Sequence, residues 1–173
     1  MADSHSTPHV IFPAGNGHTL VDAADAPFVA TLRLTVNHQG YIQAKVGRKL
    51  VMLHRLLLQP PPHLVVDHIN GERHDNRRAN IRACTQAQNL ANGRSHRDST
   101  SRYRGVSYRR DEGTWRAQIS IGGQRSRYLG QYRTEEEAAL AYDAAAREQY
   151  GEYARLNFPS QQESRRYHNR EER

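Results

Sequence analysis

The sequence has almost none of the features that build disulfide-bonded, zinc-bound or membrane-spanning proteins. Cys84 is the single cysteine among 173 residues, which excludes an internal disulfide and a multi-cysteine zinc site. A single cysteine is also typical of a reducing compartment. No apolar run approaches the roughly 18 residues of a membrane helix, and the amino terminus lacks a basic segment followed by an apolar stretch. We therefore expect no zinc, no membrane partner and no secretory signal.

Lysine is scarce, and arginine carries most of the positive charge. The chain has 25 Lys and Arg residues against 18 Asp and Glu, which gives a formal net charge of +7, and its only lysines are Lys45 and Lys49. A basic excess favours a polyanionic partner, and the planar arginine fork matches phosphates and guanine edges. Arginine-rich codon usage in a GC-rich genome is the alternative explanation.

Apolar residues are few, at 36% of the chain with a mean hydropathy of -0.90. We therefore expect two small modules rather than one large core, each gaining stability from a metal, DNA or its neighbour. Shifts in composition divide the chain into a disordered arm (1–25), a first module (26–93), a linker (94–101), a second module (102–159) and a disordered tail (160–173).

The hydrophobic pattern places both modules in the α+β class. In order, the first module is expected to form short strands within 32–52, a helix over 53–58, strands over 64–66 and 81–84, and a helix opened by a Thr85–Gln88 capping box. The second module is expected to form strands over 103–109, 115–121 and 126–132, and then a helix from Thr134 to about Tyr150. The second module is thus predicted to be a three-stranded antiparallel sheet packed on one helix.

A polar constellation follows the strand over 64–66. Asp67 and His68 stand at the strand end. Asn80 follows 12 residues after His68, and Asn89 follows 9 residues after Asn80. Hydrolysis of a phosphodiester needs a base, a hard cation and oxygen ligands for that cation. His68 can supply the base, and Asp67 and Asn89 can supply two oxygen ligands, which leaves room for phosphate and water around magnesium.

At these residues the sequence resembles the HNH endonucleases in their ββα-metal form. The resemblance is carried by Val66-Asp67-His68-Ile69-Asn70-Gly71, Asp75-Asn76-Arg77, Asn80-Ile81-Arg82, Thr85 and Gln88-Asn89, and it includes the upstream Leu53-His54-Arg55-Leu56. The resemblance implies that His68 is the general base and that Asp67 and Asn89 bind one divalent metal ion, Mg²⁺ being expected. It also implies that Asn80 braces the loop and orients His68.

This part of the sequence leaves three questions open. Asn89 stands where many members have a second histidine, and related homing-type enzymes with this asparagine include ones that nick one strand, so both nicking and double-strand cleavage are open. His54 could be a packed, hydrogen-bonded histidine or a ligand. It lies in an apolar helical run, where a packed histidine is the more common case. The four arginines of the loop and return strand could contact phosphate or face solvent: Arg73, Arg77, Arg78 and Arg82.

Charge is distributed unevenly in the second module. Residues 102–133 contain eight arginines and two acidic residues, whereas residues 134–152 contain six acidic residues and one arginine. Strand alternation puts Trp115, Ala117, Ile119 and Ile121 on a face that should pack on the helix. The opposite face, with Arg116, Gln118 and Ser120, should be exposed. The pattern predicts a positive sheet face that docks on DNA.

Here the sequence resembles the APETALA2/ethylene-response-factor DNA-binding domain. The resemblance is carried by Tyr103-Arg104-Gly105-Val106, Trp115-Arg116-Ala117, Tyr128-Leu129-Gly130, Glu136-Glu137-Ala138-Ala139, Ala141-Tyr142-Asp143-Ala144-Ala145-Ala146 and Leu156-Asn157-Phe158-Pro159. It implies contact with double-stranded DNA through Arg104, Gly105, Arg109, Arg116, Gln118, Ser120, Ser126 and Tyr128. Ser107 and Ser120 stand where plant members often have arginine, and Gln118 where they often have glutamate, so the plant target sequence should not be transferred.

The two resemblances together predict a metal-dependent, homing-type DNA endonuclease in the cytoplasm of a bacterial or phage-infected cell. The alternative is a non-catalytic, sequence-specific DNA-binding regulator in which the first module is only a scaffold. An RNA-binding protein is a weaker third reading, because the stacking aromatics and glycine–lysine patterns of common RNA modules are absent. The sequence does not give the DNA target or the oligomeric state.

Overall fold

The structure is a computed structural model that describes residues 8–93, 100–122 and 126–167. The chain divides into two compact units, Met1–Cys84 and Thr85–Arg173. Both units combine short antiparallel sheets with helices, so the predicted mixture of α and β structure is confirmed. Within the described ranges, no helix is long and apolar enough to cross a membrane.

The first unit consists of three small antiparallel sheets and two short helices in its described part. Its elements are β1 His9–Ala14, β2 Gly17–Asp22, α1 Ala26–Val29, β3 Leu34–Val36, β4 Ile42–Val46, β5 Lys49–Met52, α2 Leu53–Leu58, β6 Val65–His68 and β7 Ile81–Cys84. β1 pairs with β2, β4 lies between β3 and β5, and β6 pairs with β7. Ile42 and Ala44 of β4 join Leu53 and Leu57 of α2 in one buried core.

The predicted disordered arm is wrong for residues 9–25. β1 and β2 form a hairpin that buries Ala14 and Val21, and Leu20 forms a parallel bridge with Asp75. The hairpin is held by a segment more than fifty residues away. Local composition, which is rich in glycine and proline here, carries no sign of such a distant pairing. Residues 1–7 lie outside the described residues.

The second unit is a three-stranded sheet covered by a long helix, with shorter helices before and after. Its elements are α3 Gln86–Asn92, β8 Val106–Arg109, β9 Thr114–Ser120, β10 Ser126–Tyr132, α4 Glu135–Tyr150, a 3₁₀ turn Gly151–Tyr153 and α5 Gln161–Tyr167. The central strand is β9, and all pairings are antiparallel. Thr85 and Thr134 open α3 and α4 through the capping boxes that the sequence predicts.

One face of this sheet packs on α4, as strand alternation predicts. Ala117 and Ile119 of β9 are buried at 0% and 1% exposure. They lie in clusters with Ala138, Ala139 and Tyr142 of α4. Small alanines let the helix approach the sheet closely, so the predicted sheet-on-helix arrangement is confirmed.

Two expectations about connecting segments need correction. In the tail, Gln161–Tyr167 is helical because Ser160 and Glu163 form a reciprocal cap, a signal already present in the sequence. In the predicted linker, Ser101 is buried and donates to Glu135 at 2.6 Å, so it is part of the second unit. Residues 94–99 and 168–173 lie outside the described residues.

The ββα-metal arrangement is not shown. β6 and β7 form the predicted antiparallel pair in the first unit, but α3 belongs to the second unit.

The end of α3 is bonded to other parts of the second unit. Arg104 donates from Nη2 to the carbonyl of Leu90 at 2.7 Å, and the Arg155 backbone N–H donates to the carbonyl of Ala91 at 3.3 Å. These bonds satisfy carbonyls in the last turn of α3. The predicted domain boundary after residue 93 stays a prediction.

Candidate nucleic-acid interface and buried histidine site

The sheet of the second unit has an open face, whose residues are identified by strand register. Directly opposed residues of an antiparallel pair point to the same side. Since Ala117 and Ile119 point toward α4, their neighbours Arg116 and Gln118 point away from it. The residues on the open face are Ser107 and Arg109 of β8, Thr114, Arg116, Gln118 and Ser120 of β9, and Ser126, Tyr128 and Gln131 of β10.

Six of the eight DNA contacts predicted from the sequence lie on this face: Arg109, Arg116, Gln118, Ser120, Ser126 and Tyr128. Sequence reasoning missed Gln131. Strict alternation from Tyr128 would direct Gln131 toward the helix, but a bulge between Tyr128 and Gly130 shifts the register and pairs Gln131 with Arg116. The sequence signal for this bulge is the glycine at position 130, whose φ is 138° in the structure.

Arg116 lies in the middle of the open face. Its guanidinium carbon lies 5.3 Å from the centre of the Tyr128 ring, a cation–π distance. Its Nε has no hydrogen-bond partner within the described residues. A buried donor without a partner is costly, so the Nε of Arg116 is an unused hydrogen-bond donor on this face. Contact of Arg116 with DNA stays a prediction.

The other two predicted contacts, Arg104 and Gly105, are engaged with α4 instead. Arg104 donates from Nε to the hydroxyl of Tyr142 at 2.5 Å. Gly105 has φ 73°, and a Cβ there would lie 2.0 Å from the Tyr142 ring and 2.6 Å from the carbonyl oxygen of Gln118. Packing against Tyr142 thus explains both residues, and their contact with DNA stays a prediction.

Acidic side chains pair with arginines on the helix side of the unit. Arg127 of β10 lies 3.8 Å from Glu148 of α4, and Arg102 lies 3.2 Å from Glu136. On the open face, Arg109 donates to Asp111 of the β8–β9 turn at 2.9 Å. The helix side is therefore partly neutralised, whereas Arg116 at the centre of the open face has no acidic partner in the described residues.

The second predicted site lies at the end of the β6–β7 pair. Asp67 and His68 are the last two residues of β6, and each is 5% exposed. Arg82 donates from Nε and Nη2 to Oδ2 of Asp67, at 3.0 and 2.9 Å. The carboxylate expected to bind a metal is thus held by a guanidinium.

A buried asparagine contacts His68. Nε2 of His68 lies 3.4 Å from Oδ1 of Asn76, and Asn76 donates from Nδ2 to Oγ1 of Thr19 at 2.9 Å. Asn80 holds the intervening loop, because it accepts from the backbone N–H of Asn70 and donates to the carbonyl of Asp75. The role of Asn80 in orienting His68 stays a prediction. Sequence reasoning missed Thr19, whose contact spans 57 residues and leaves no local signal.

The predicted magnesium ligands do not form a set within the first unit. Asp67 is paired with Arg82, and Asn89 lies on α3 of the second unit. Among the described residues, no group of three or more His, Cys, Asp or Glu side chains could hold a metal ion. The expected one-metal arrangement of Asp67 and Asn89, and the divalent cofactor with it, stays a prediction.

His68 is packed among aromatic rings. The His54 ring lies edge-on, 5.2 Å from the His68 ring and 5.6 Å from the Tyr41 ring. Burial lowers the pKa of His54 to about 3, with further lowering by His68 and Arg55. Burial also lowers the pKa of His68, against the opposing effect of the Asn76 hydrogen bond. Both imidazoles are therefore neutral at pH 7.

The buried neutral His54 should make the first unit sensitive to acid. In the unfolded chain a histidine with a pKa near 6.5 takes up a proton as the pH falls, whereas folded His54, with a pKa of about 3, does not. The contribution of neutral His54 to the free energy of unfolding is complete above pH 6.5, and it is lost as the pH falls toward 3. We expect it to lower the free energy of unfolding by about 2 kcal/mol between pH 7 and pH 5.

Amide hydrogen exchange of β4, measured across this pH range, checks the expectation. The matched control is His54→Gln, which has no titrating ring at this position. Its pH dependence should be smaller than that of the unsubstituted protein by about 2 kcal/mol. Identical pH dependence in the two proteins would contradict the burial of a neutral His54.

Comparison with known proteins identifies part of the second unit. Residues 101–152 match the family model of the AP2 domain. The ethylene-responsive transcription factor WRI1 of Arabidopsis thaliana is 49% identical over 59 residues, which cover 34% of this chain and 14% of that protein. The dehydration-responsive element-binding protein 2E of Oryza sativa subsp. japonica is 53% identical over 58 residues, 33% of this chain and 18% of that protein. Residues 101–152 of the second unit, which include its sheet and α4, are therefore similar to the AP2 domain.

These relatives share only a small part of their length with this chain. The relatives are transcription factors of plants, and this contradicts the expectation of a bacterial or phage-infected cytoplasm. A shorter match joins residues 59–91 to the HNH endonuclease family model. It includes Asp67, His68, Asn80 and Asn89, and it covers part of the first unit and the start of the second.

Proposed function

We propose that this protein is a sequence-specific double-stranded DNA-binding protein that reads DNA with the open face of the β8–β9–β10 sheet. The observation that supports this most strongly is the position of Arg116, Gln118 and Tyr128 on one face, opposite the helix side with its paired charges. A narrow sheet can enter the major groove, where each base pair presents a distinct pattern of donors and acceptors.

The side chains of the open face suggest which bases are read. Arginine pairs with the O6 and N7 acceptors of guanine, and glutamine pairs with N6 and N7 of adenine. Arg116 opposes Gln131 in the register, and Gln118 is two positions along β9 from Arg116. We expect a target that contains both guanine and adenine. The plant target sequence should not be transferred, because Ser107 and Ser120 stand where plant members often have arginine.

Selection from a library of random DNA duplexes tests this proposal. The protein should enrich one consensus sequence over successive rounds at fixed salt concentration. Binding without any enrichment would reject sequence-specific recognition, because the phosphate backbone alone supports non-specific affinity. Arg116→Ala should enrich a weaker consensus or none.

A DNA endonuclease centred on His68 is the second candidate function. It is supported by the match of residues 59–91 to the HNH endonuclease family model and by the burial of Asp67 and His68 together at the end of β6. In this proposal neutral His68 accepts a proton from the attacking water, and Asn76 fixes the ring. The pairing of Asp67 with Arg82 counts against a metal ligand at that carboxylate.

A plasmid assay separates the two candidates. Supercoiled plasmid is incubated with the protein, with and without magnesium, and nicked and linear products are quantified. An endonuclease should lose about 100-fold or more of its rate in His68→Ala, and little in His63→Ala, which removes an exposed histidine of the same unit. If the unsubstituted protein and His68→Ala leave the plasmid equally intact across several metals, the DNA-binding reading stands alone.

A further inference from the structure

A second basic surface lies in the first unit, apart from the AP2 domain. Residues 26–66 contain five Lys and Arg residues and no Asp or Glu. Three of these cations, Lys45, Arg48 and Lys49, gather at the tip of the β4–β5 hairpin, which includes both lysines of the chain. We call residues 45–50 the basic tip.

The basic tip extends beyond the core. Ala44 of β4 is fully buried, whereas every residue from Lys45 to Leu50 is exposed. Val46 pairs with Lys49 across a two-residue turn in which Gly47 has φ 59°. A two-residue turn of this kind matches the twist of its two strands and keeps them paired up to the turn. The tip is therefore a preformed projection rather than a loose loop.

The cations of the basic tip lie on both faces of the ribbon. Lys49 opposes Val46 on the side to which Ala44 points, whereas Lys45 opposes Leu50 on the other side. Arg48 lies at the turn itself. The ion pairs of the described first unit join Asp67, Asp75, Asp25 and Glu72 to residues elsewhere, and none of them involves the basic tip.

We propose that the basic tip is a DNA-binding ribbon that inserts into a groove of duplex DNA. The major groove admits a two-stranded β-ribbon, and phosphates line both of its walls. Cations on both faces of one ribbon match these two walls, and a surface without acidic residues avoids repulsion from the phosphates. The interaction is independent of base reading by the β8–β10 sheet, because it arises from backbone charge.

Salt dependence of binding to a random-sequence duplex tests this inference. Each phosphate contact contributes about 0.9 to the slope of log K against log salt concentration. The variant Lys45→Gln/Arg48→Gln/Lys49→Gln should lower the magnitude of the slope by about 2 to 3. The control variant is Arg102→Gln/Arg127→Gln/Arg147→Gln, which removes the same net charge from cations paired with acids on the helix side of the second unit. It should change the slope by less than about 1.

Three outcomes would overturn the proposal. An unchanged slope in the basic-tip variant shows that the tip does not contact phosphate. Self-association of that variant with an unchanged slope shows that Lys49 only protects an edge strand. Loss of binding to vesicles rich in phosphatidylserine, with DNA binding intact, assigns the tip to a membrane surface. Failure of Arg116→Ala to weaken binding would count against the proposed function and leave this result standing.

Discussion

Replacing Gly105 by alanine is expected to destabilise the second unit by about 3–5 kcal/mol. A Cβ at this position would lie 2.0 Å from the Tyr142 ring and 2.6 Å from the carbonyl oxygen of Gln118, both far inside van der Waals contact. Neither neighbour can yield easily, because Tyr142 is packed in the core and bonded to Arg104, and the carbonyl belongs to the central strand. The positive φ of 73° adds backbone strain.

The matched control is Gly113→Ala, in the β8–β9 turn. Gly113 also has a positive φ, 64°, but a Cβ there would meet nothing within 4 Å. It should cost only about 1 kcal/mol, the backbone term alone. Trp115, the only tryptophan, lies in this unit, so its fluorescence follows unfolding in denaturant. Equal losses in the two variants would contradict the packing account of Gly105.

Replacing Arg116 by alanine is expected to weaken binding to the selected DNA sequence by about 10- to 100-fold, or roughly 1–3 kcal/mol. Arg116 is central on the open face, stacks over Tyr128 and has an Nε donor without a partner in the described residues. Its removal leaves the buried Ala117 and Ile119 in place, so the fold should persist. Fluorescence anisotropy of a labelled duplex at fixed salt concentration measures the loss.

Arg127→Ala provides the control for charge. It removes one arginine from the same sheet, but Arg127 points to the helix side, where it lies near Glu148. The effect of Arg127→Ala on affinity should stay within about threefold, which is the range expected for an exposed charge that does not contact DNA. Similar losses in the two variants would show that net charge, rather than the open face, determines affinity.

The sequence predicts the sheet and helix of the second unit well because their signals are local. Alternation in β9 places Ala117 and Ile119 toward the helix, and the Thr134 capping box marks the start of α4. Most of the open face follows from the same alternation. The position of Gln131 does not, because the bulge before Gly130 changes the parity of the strand.

The first unit is predicted less completely because its contacts are distant along the chain. The hairpin of β1 and β2 is stabilised through Leu20 and Asp75, and Asn76 reaches Thr19 across 57 residues. The sequence motif predicts Asp67 and His68 as site residues. It does not predict that the guanidinium of Arg82 binds the carboxylate of Asp67. Likewise, the family resemblance implies that Arg104 and Gly105 contact DNA, and only the position of Tyr142 reveals their packing role.

Chemical-shift mapping tests the central claim most directly. Isotopically labelled protein is titrated with the duplex obtained by selection, and amide and side-chain signals are followed. The proposed interface predicts the largest changes at Arg116, Gln118 and Tyr128, with small changes along the exposed side of α4. Changes centred on α4, with the open face of the sheet unperturbed, would contradict the proposed mode of DNA recognition.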